Sequence, residues 1–219
     1  MKAQMRILRW DPARAVKPRY RTYTVPFSPG DKVLGGLLYI YKHLDPCLSF
    51  RFNCKGRHCG ECSMMINEKP GLSCAVPMSS ELTIEPLQNL TVIKDLVIDR
   101  GHVYKSIAER LPRIEGKGYE GKGLRAVPMD QVDRIMRLDD CIQCLCCMAV
   151  CPAYKKELEM FPGPIGLLAL ATTREQIPDI DVSERAALCT DCGRCEKVCP
   201  RHIPIHSEAI RNMKGNGGK

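Results

Sequence analysis

The chain has 219 residues, a formal net charge of +8, 14 cysteines and only 5% aromatic residues. That length suffices for one large domain or two small ones, and the lack of a basic stripe interleaved with aromatics argues against nucleic-acid binding. The longest apolar runs, residues 34–41 and 166–171, are too short to span a bilayer, and the opening MKAQMRILRW has no apolar core of a secretory signal. The expectation is a soluble protein of a reducing compartment whose cysteines hold metal rather than form disulfides.

The first third reads as β-rich. Residues 6–11 (RILRWD), 20–27 (YRTYTVPF) and 81–87 (ELTIEPL) alternate like half-buried strands. Between the second and third, residues 30–45 place Val33, Leu34, Leu37, Leu38 and Tyr41 on one helical stripe, with Asp31 expected as the cap. A small mixed sheet gripping one helix follows. From residue 95 the period turns helical. Residues 113–123 (RIEGKGYEGKG) read as a surface loop or arm. Helical segments are then expected at 129–140, 163–177 and 206–214, with a frayed end after them. The fold class is α+β, divided into residues 1–98 and 99–219.

The first cysteine group is CKGRHCGEC followed by a distant cysteine: Cys54, Cys59, Cys62 and Cys74. C-x4-C-x2-C with a remote fourth ligand is the spacing of a plant-type [2Fe-2S] site. Gly56 and Gly60 are expected to let a tight loop turn its N–H groups toward the cluster sulfurs. Residues 64–73 (MMINEKPGLS) should form a hairpin that delivers Cys74. Lys55, Arg57 and His58 place positive charge in the loop. A four-cysteine zinc site is the competing reading, but zinc motifs pair short knuckles. Cys47 lies outside the spacing and reads as a small buried hydrophobe.

Two further runs, CIQCLCCMAVCP (141–152) and CTDCGRCEKVCP (189–200), share the spacing C-x2-C-x2-C-x3-C-P. In that pattern the fourth cysteine of each run ligates the other cluster. Cys141, Cys144 and Cys147 therefore pair with Cys199, and Cys189, Cys192 and Cys195 with Cys151. Pro152 and Pro200 stop the preceding turn from continuing, and Cys146 is left over. The five histidines are scattered and are not needed as ligands. No nucleophile–base set or phosphate loop is present, so no catalytic residue is assigned, and three clusters in one chain read as an electron wire.

The order of these motifs resembles the iron–sulfur subunits of succinate dehydrogenase and fumarate reductase. The segments DPCLSFRFNCKGRHCGEC, INEKPGLSCAVP, VIKDLVID and CIQCLCCMAVCP are similar to that family's, over roughly residues 5–205. The resemblance implies an N-terminal β-grasp ferredoxin domain and a C-terminal α-helical ferredoxin domain. It implies a partner flavoprotein carrying FAD, where succinate and fumarate interconvert, and a membrane-side partner leading to quinone. The complex would sit on the cytoplasmic side of the cell membrane, with this chain peripheral. The sequence departs from the common pattern at three places. Cys192 stands where most members carry an aliphatic residue, so a second [4Fe-4S] cluster is expected instead of [3Fe-4S]. Lys156 and Thr190 stand where a Trp and a His of the quinone site are usual, so quinone contact is expected to be indirect. These departures resemble the type whose membrane-side subunit is similar to a heterodisulfide reductase subunit. The alternatives are the same wire serving another flavoprotein or a thiol/disulfide oxidoreductase, and a zinc-stabilised interaction module.

Overall fold

The computed structural model describes residues 1–14, 17–111, 128–156, 160–176 and 182–214. The expected arm at 113–123 and the last five residues lie outside them. Two compact units arise, one from Met1–Val103 with Ile142–Val150, the other from Tyr104–Cys141 with Cys151–Lys219.

The first unit is built on β1 (Lys2–Arg9) and β2 (Arg19–Pro26), then α1 (Val33–Tyr39), which runs into a π-helical turn at Ile40–Leu44. A hairpin follows, β3 (Ser63–Ile66) and β4 (Lys69–Leu72), then β5 (Glu81–Glu85) and a small ribbon of β6 (Val92–Lys94) and β7 (Val97–Ile98). The main sheet has the order β2-β1-β5-β3-β4. Strand β1 is antiparallel to β2 and parallel to β5, whereas β3 is antiparallel to both β4 and β5. Alternation along β1 buries Ala3, Met5 and Ile7, which meet Tyr23, Val25, Met64, Ile66, Leu82 and Ile84 from the other strands. Helix α1 lays Val33 and Leu37 on this face, and Ile40 continues the stripe. Each such side chain contributes about 1.5–3 kcal/mol by leaving water.

The α1 start differs from the expectation. Lys32, not Asp31, precedes the helix, and it makes no side-chain cap. Asp31 instead accepts a hydrogen bond from the Ser28 N–H (2.8 Å). The first helical N–H groups, of Val33 and Leu34, donate to the carbonyls of Val76 and Ser73 (3.0 and 2.9 Å). Tertiary backbone partners satisfy the orphan donors that a cap would have taken, and they tie the helix to the turn carrying Cys74.

An ionic cluster closes one end of the unit. Arg9 pairs with Asp45, and its Nε lies 3.0 Å from Asp95. Asp45 also accepts from Tyr23 (2.6 Å) and Arg21 (2.9 Å). Asp95 accepts the N–H groups of Trp10 and Ser49, each at 3.0 Å. Burial pushes the Asp45 carboxyl up, but the hydrogen bonds from Tyr23 and Arg9 outweigh it and hold it below its ordinary value.

The division between units falls within α2 (Arg100–Arg110), which starts five residues beyond the onset of the helical period because Val97 and Ile98 pair first as β7. Asp99 caps it, accepting from the His102 N–H at 2.9 Å. The remaining helices are α3 (Met129–Asp139), α4 (Cys146–Ala149), α5 (Pro152–Lys155), α6 (Gly163–Gln176), α7 (Ser183–Ala187) and α8 (Arg194–Lys197). A π-helical turn at Ile205–Ile210 then leads into α9 (Arg211–Lys214). Helix α4 belongs to the first unit and the other six to the second. The apolar residues Leu167, Leu168, Leu170 and Ala171 of α6 are buried in the second unit with Leu138, Ile205, Ala209, Ile210 and Met213.

Candidate iron–sulfur cluster sites

The loop between Cys54 and Cys62 wraps as the spacing requires, with Gly60 but not Gly56 among the residues that turn it. Left-handed backbone occurs at Lys55 (φ 56°), Arg57 (φ 67°) and Gly60 (φ 68°), not at Gly56. The two non-glycine residues each cost on the order of 1 kcal/mol in this conformation. In return, the N–H groups of Gly56 and His58 both point at Cys54 Sγ, each at 3.3 Å. Those two bonds, with one from the Cys59 thiol, pull the exposed Cys54 down to about 7. A thiolate held by converging N–H groups suits a metal ligand. Gly60 has a second task. A Cβ there would lie 2.4 Å from the Ile142 carbonyl oxygen and 2.9 Å from Cys144 Cα. The first cysteine loop and the middle of the second motif therefore meet backbone to backbone.

The hairpin of β3 and β4 delivers Cys74. Asn67 (φ 48°) and Glu68 (φ 65°) form its two-residue turn, with the twist that tight hairpins favour. Ser63 pairs with Leu72, and the Ser73 N–H donates to the Cys62 carbonyl (3.0 Å). Cys62 and Cys74 are buried beside each other. Burial, the largest effect, pushes the Cys62 thiol up; the Cys74 N–H opposes it, while the Cys74 thiol adds to it. Cys47 corrects the sequence reading: it is exposed, held in the loop by its carbonyl accepting from Arg9 (3.2 Å) and its N–H donating to Asp45 (3.1 Å).

The repeated spacing is also a repeat of backbone conformation. The residues two and four places after the first cysteine are left-handed in both runs: Gln143 and Leu145, then Asp191 and Gly193. The second of each pair directly precedes a one-turn helix, α4 or α8. The third cysteine lies in that turn, and Cys151 then caps α5 with Pro152 at its first position. Leu145 adopts this conformation although it carries a side chain, and it is fully buried.

In the first run, Cys144, Cys146 and Cys147 are buried. Cys146, which the spacing left without a task, hydrogen-bonds Cys144 through its thiol. That bond, aided by the Cys146 N–H and the Arg100 charge, holds Cys144 at about 7 despite burial. Arg100 also donates to the Gln143 carbonyl, and Asn89 to the Ala149 carbonyl (2.7 Å). Sequence reasoning missed both side chains, which lie 43 and 60 residues from their targets and have no local signature.

In the second unit, Asp140 and Arg201 form a two-pronged pair (2.8 and 2.6 Å). It joins the residue before Cys141 to the residue two after Cys199. Cys151, Cys189, Cys192 and Cys195 come close enough for their charges to interact: burial raises Cys195 to about 12, and the charges of Cys189, Cys151 and Cys192 add to the rise. Burial likewise raises Cys151, to which Cys189 and Cys192 contribute, while the N–H groups of Tyr154 and Ala153 oppose it. Exposed Cys192 thus stands with the other three. Its loop is braced from the C-terminal segment. Buried His206 lies 3.1 Å from Asp191, and Lys214 donates to Asp191 and to the Cys189 carbonyl (2.6 Å). Glu196 accepts from the N–H groups of His206 and Ser207 (2.9 and 2.8 Å). Lys156 and Thr190 are exposed.

N–H groups are directed at the sulfurs of Cys54 and Cys151, the kind of support that ligand thiolates of iron–sulfur clusters receive.

Comparison with known proteins agrees with this chemistry. Residues 4–105 match a family described as a 2Fe-2S iron-sulfur cluster binding domain, and residues 137–203 a 4Fe-4S dicluster domain. The chain is 35% identical to an uncharacterized iron-sulfur protein of Methanococcus maripaludis over 89% of its own length, but it spans only 41% of that protein. It is 31% identical to the fumarate reductase iron-sulfur subunit of Haemophilus influenzae, over 97% of this chain and 92% of that one. Among solved structures, a chain of the Mycobacterium smegmatis Sdh1 complex in the apo form superposes with a TM-score of 0.85 at 29% identity, covering 98% of this chain and 94% of that one. The chain belongs to the family of succinate dehydrogenase and fumarate reductase iron–sulfur subunits.

Proposed function

We propose that the chain is the electron-transfer subunit of a succinate dehydrogenase or fumarate reductase complex, relaying electrons between FAD in a partner flavoprotein and a quinone-linked, membrane-side subunit. Cys54, Cys59, Cys62 and Cys74 hold a [2Fe-2S] cluster. Cys141, Cys144, Cys147 and Cys199 hold a [4Fe-4S] cluster. Cys151, Cys189, Cys192 and Cys195 hold the third, a [4Fe-4S] in place of the [3Fe-4S] that three ligands would give. Bound clusters supply one-electron carriers; dicarboxylate chemistry belongs to the partner.

The observation that carries this reading is the approach of Gly60 to Ile142 and Cys144, which supports neighbouring redox sites. The chain's own residues exclude water from Cys62, Cys74, Cys144, Cys147, Cys151 and Cys195 and aim N–H groups at the sulfurs of Cys54 and Cys151. The face around Cys54 suits docking of the flavoprotein. Tyr41, Leu44 and Phe52 are exposed there, Phe52 stacks on Phe50 at 5.7 Å, and Lys42, Arg51, Lys55 and Arg57 are exposed nearby. Such an apolar, aromatic patch with a cationic rim fits an acidic partner surface. Among the described residues no helix is long and apolar enough to cross a membrane, so attachment at the cytoplasmic face through a membrane-anchoring or heterodisulfide-reductase-like subunit is the reading the family supports.

The test is purification from the native host under anaerobic conditions. A flavin-bearing subunit should accompany the chain, and succinate should bleach its visible absorption or fumarate should restore it after reduction. A complex whose absorption answers to neither dicarboxylate, but to a thiol/disulfide couple, would replace this reading with the alternative of a thiol/disulfide oxidoreductase.

A further inference from the structure

Two hydroxyls, Ser63 Oγ and Ser73 Oγ, are buried without a completed hydrogen bond. Ser73 is 0% exposed and Ser63 6%. Buried hydroxyls nearly always have partners, because water must otherwise be given up without return. The carbonyls beside Ser73 already accept other donors: Cys62 O from Ser73 N, Ser73 O from Leu34 N, and Val76 O from Val33 N.

The ladder decides which way each hydroxyl faces. Ser63 pairs with Leu72, and the bond from Ser73 N to Cys62 O carries the register one step further. Ser73 therefore stands opposite Cys62. Opposed residues of an antiparallel pair share a face, and successive residues alternate. Ser73 falls on the side of Cys62 and Ser63 on the other.

We propose that the Ser73 hydroxyl donates a hydrogen bond to the Cys62 sulfur of the loaded [2Fe-2S] site and so raises its reduction potential, a role that rests on Cys54, Cys59, Cys62 and Cys74 being the ligands. Reduction adds one negative charge, which is shared by the sulfurs. A donor aimed at a ligand sulfur stabilises the more negative state. Ser73 is a positioning residue here, and Ser63, equally buried but facing away, is the control.

The test is an EPR-monitored redox titration of the [2Fe-2S] signal in the full, cluster-loaded chain. Ser73→Ala should lower the reduction equilibrium constant about tenfold, a potential about 59 mV more negative. Ser73→Thr should restore most of the shift, and Ser63→Ala should leave the potential near that of the native chain. In D2O, pulsed EPR should find an exchangeable deuteron coupled to the reduced cluster of the native chain and lost in Ser73→Ala. An unshifted potential in Ser73→Ala, or an equal shift in Ser63→Ala, overturns the proposal. If Ser73→Ala fails to hold a cluster, the native chain decides: no coupled hydroxyl deuteron overturns the proposal. Absence of any [2Fe-2S] signal from the native chain overturns the ligand assignment itself, and the proposal with it.

Discussion

Replacing Gly60 by Ala tests whether the first cysteine loop and the Ile142–Cys144 segment are built against each other. Gly60 has φ +68°, where an L-residue costs roughly 1–2 kcal/mol. The added Cβ would lie 2.4 Å from Ile142 O and 2.9 Å from Cys144 Cα. Both are backbone atoms, so neither can swing aside, and the loop must move. Overpacking of this kind costs roughly 1–3 kcal/mol. The sum, about 2–5 kcal/mol, corresponds at a urea slope of roughly 2–3 kcal/mol/M to a midpoint lowered by about 0.7–2.5 M. Anaerobic urea titration followed by the fluorescence of Trp10, the only tryptophan, reads the unit that contains Gly60. Iron content should fall as well, since Cys144 shifts with the loop. Gly35 serves as control: it lies in α1, with nothing within 4 Å of an added Cβ, and Gly35→Ala should stabilise by about 0.4–1 kcal/mol. A Gly60→Ala midpoint equal to that of the native chain would refute the close approach.

Arg9→Met should destabilise the first unit by about 3 kcal/mol, the lower end for breaking a buried ion pair, because Asp45 keeps Tyr23 and Arg21 while Asp95 keeps two N–H groups. Asp45 is held below its ordinary value, so its contribution is present above the unfolded value of about 4 and is lost as pH falls through the folded value. The gap between native and variant urea midpoints should therefore narrow below about pH 4; a gap independent of pH would count against the network. In the cluster-free chain, iodoacetamide should label exposed Cys54 with a half-maximal rate near pH 7, while buried Cys195, raised to about 12, stays unlabelled. Peptide mass spectrometry reads both, and Cys54 labelling only above about pH 8.5, the ordinary thiol value, would contradict the N–H bonds to its sulfur.

The α+β class was legible because two signals act locally. Alternation marked β1, β2 and β5, and the stripe of Val33, Leu34 and Leu37 marked α1. The hairpin between Cys62 and Cys74 was readable from the need of residues 64–73 to deliver a distant fourth cysteine, and the repeated motif from spacing alone. What stayed hidden depends on contacts distant in sequence. Nothing near residue 31 says that Ser73 and Val76 carbonyls will replace a cap. Cys47 looked like a core residue by type, but the Arg9–Asp45 cluster holds its loop at the surface. Gly56 and Gly60 were expected to turn the loop; Gly60 is left-handed, but Lys55 and Arg57 rather than Gly56 share that conformation, which propensity disfavours and N–H bonds to Cys54 offset. Helix α4, in the middle of a helical stretch of sequence, packs with the sheet unit, and no composition shift marks that. Arg100, Asn89, Lys214 and His206 brace the cysteine loops from afar, as side chains around metal sites commonly do.

The proposed wire has three clusters, the third completed by Cys192. The most direct measurement is EPR of the anaerobically isolated, oxidised protein together with its iron content. An oxidised [4Fe-4S] cluster of low potential is EPR-silent, whereas an oxidised three-iron cluster is paramagnetic. About ten irons per chain and no three-iron signal are expected of the native chain, with that signal appearing in Cys192→Ala. A strong three-iron signal from the native chain, unchanged by Cys192→Ala, would contradict the role of Cys192.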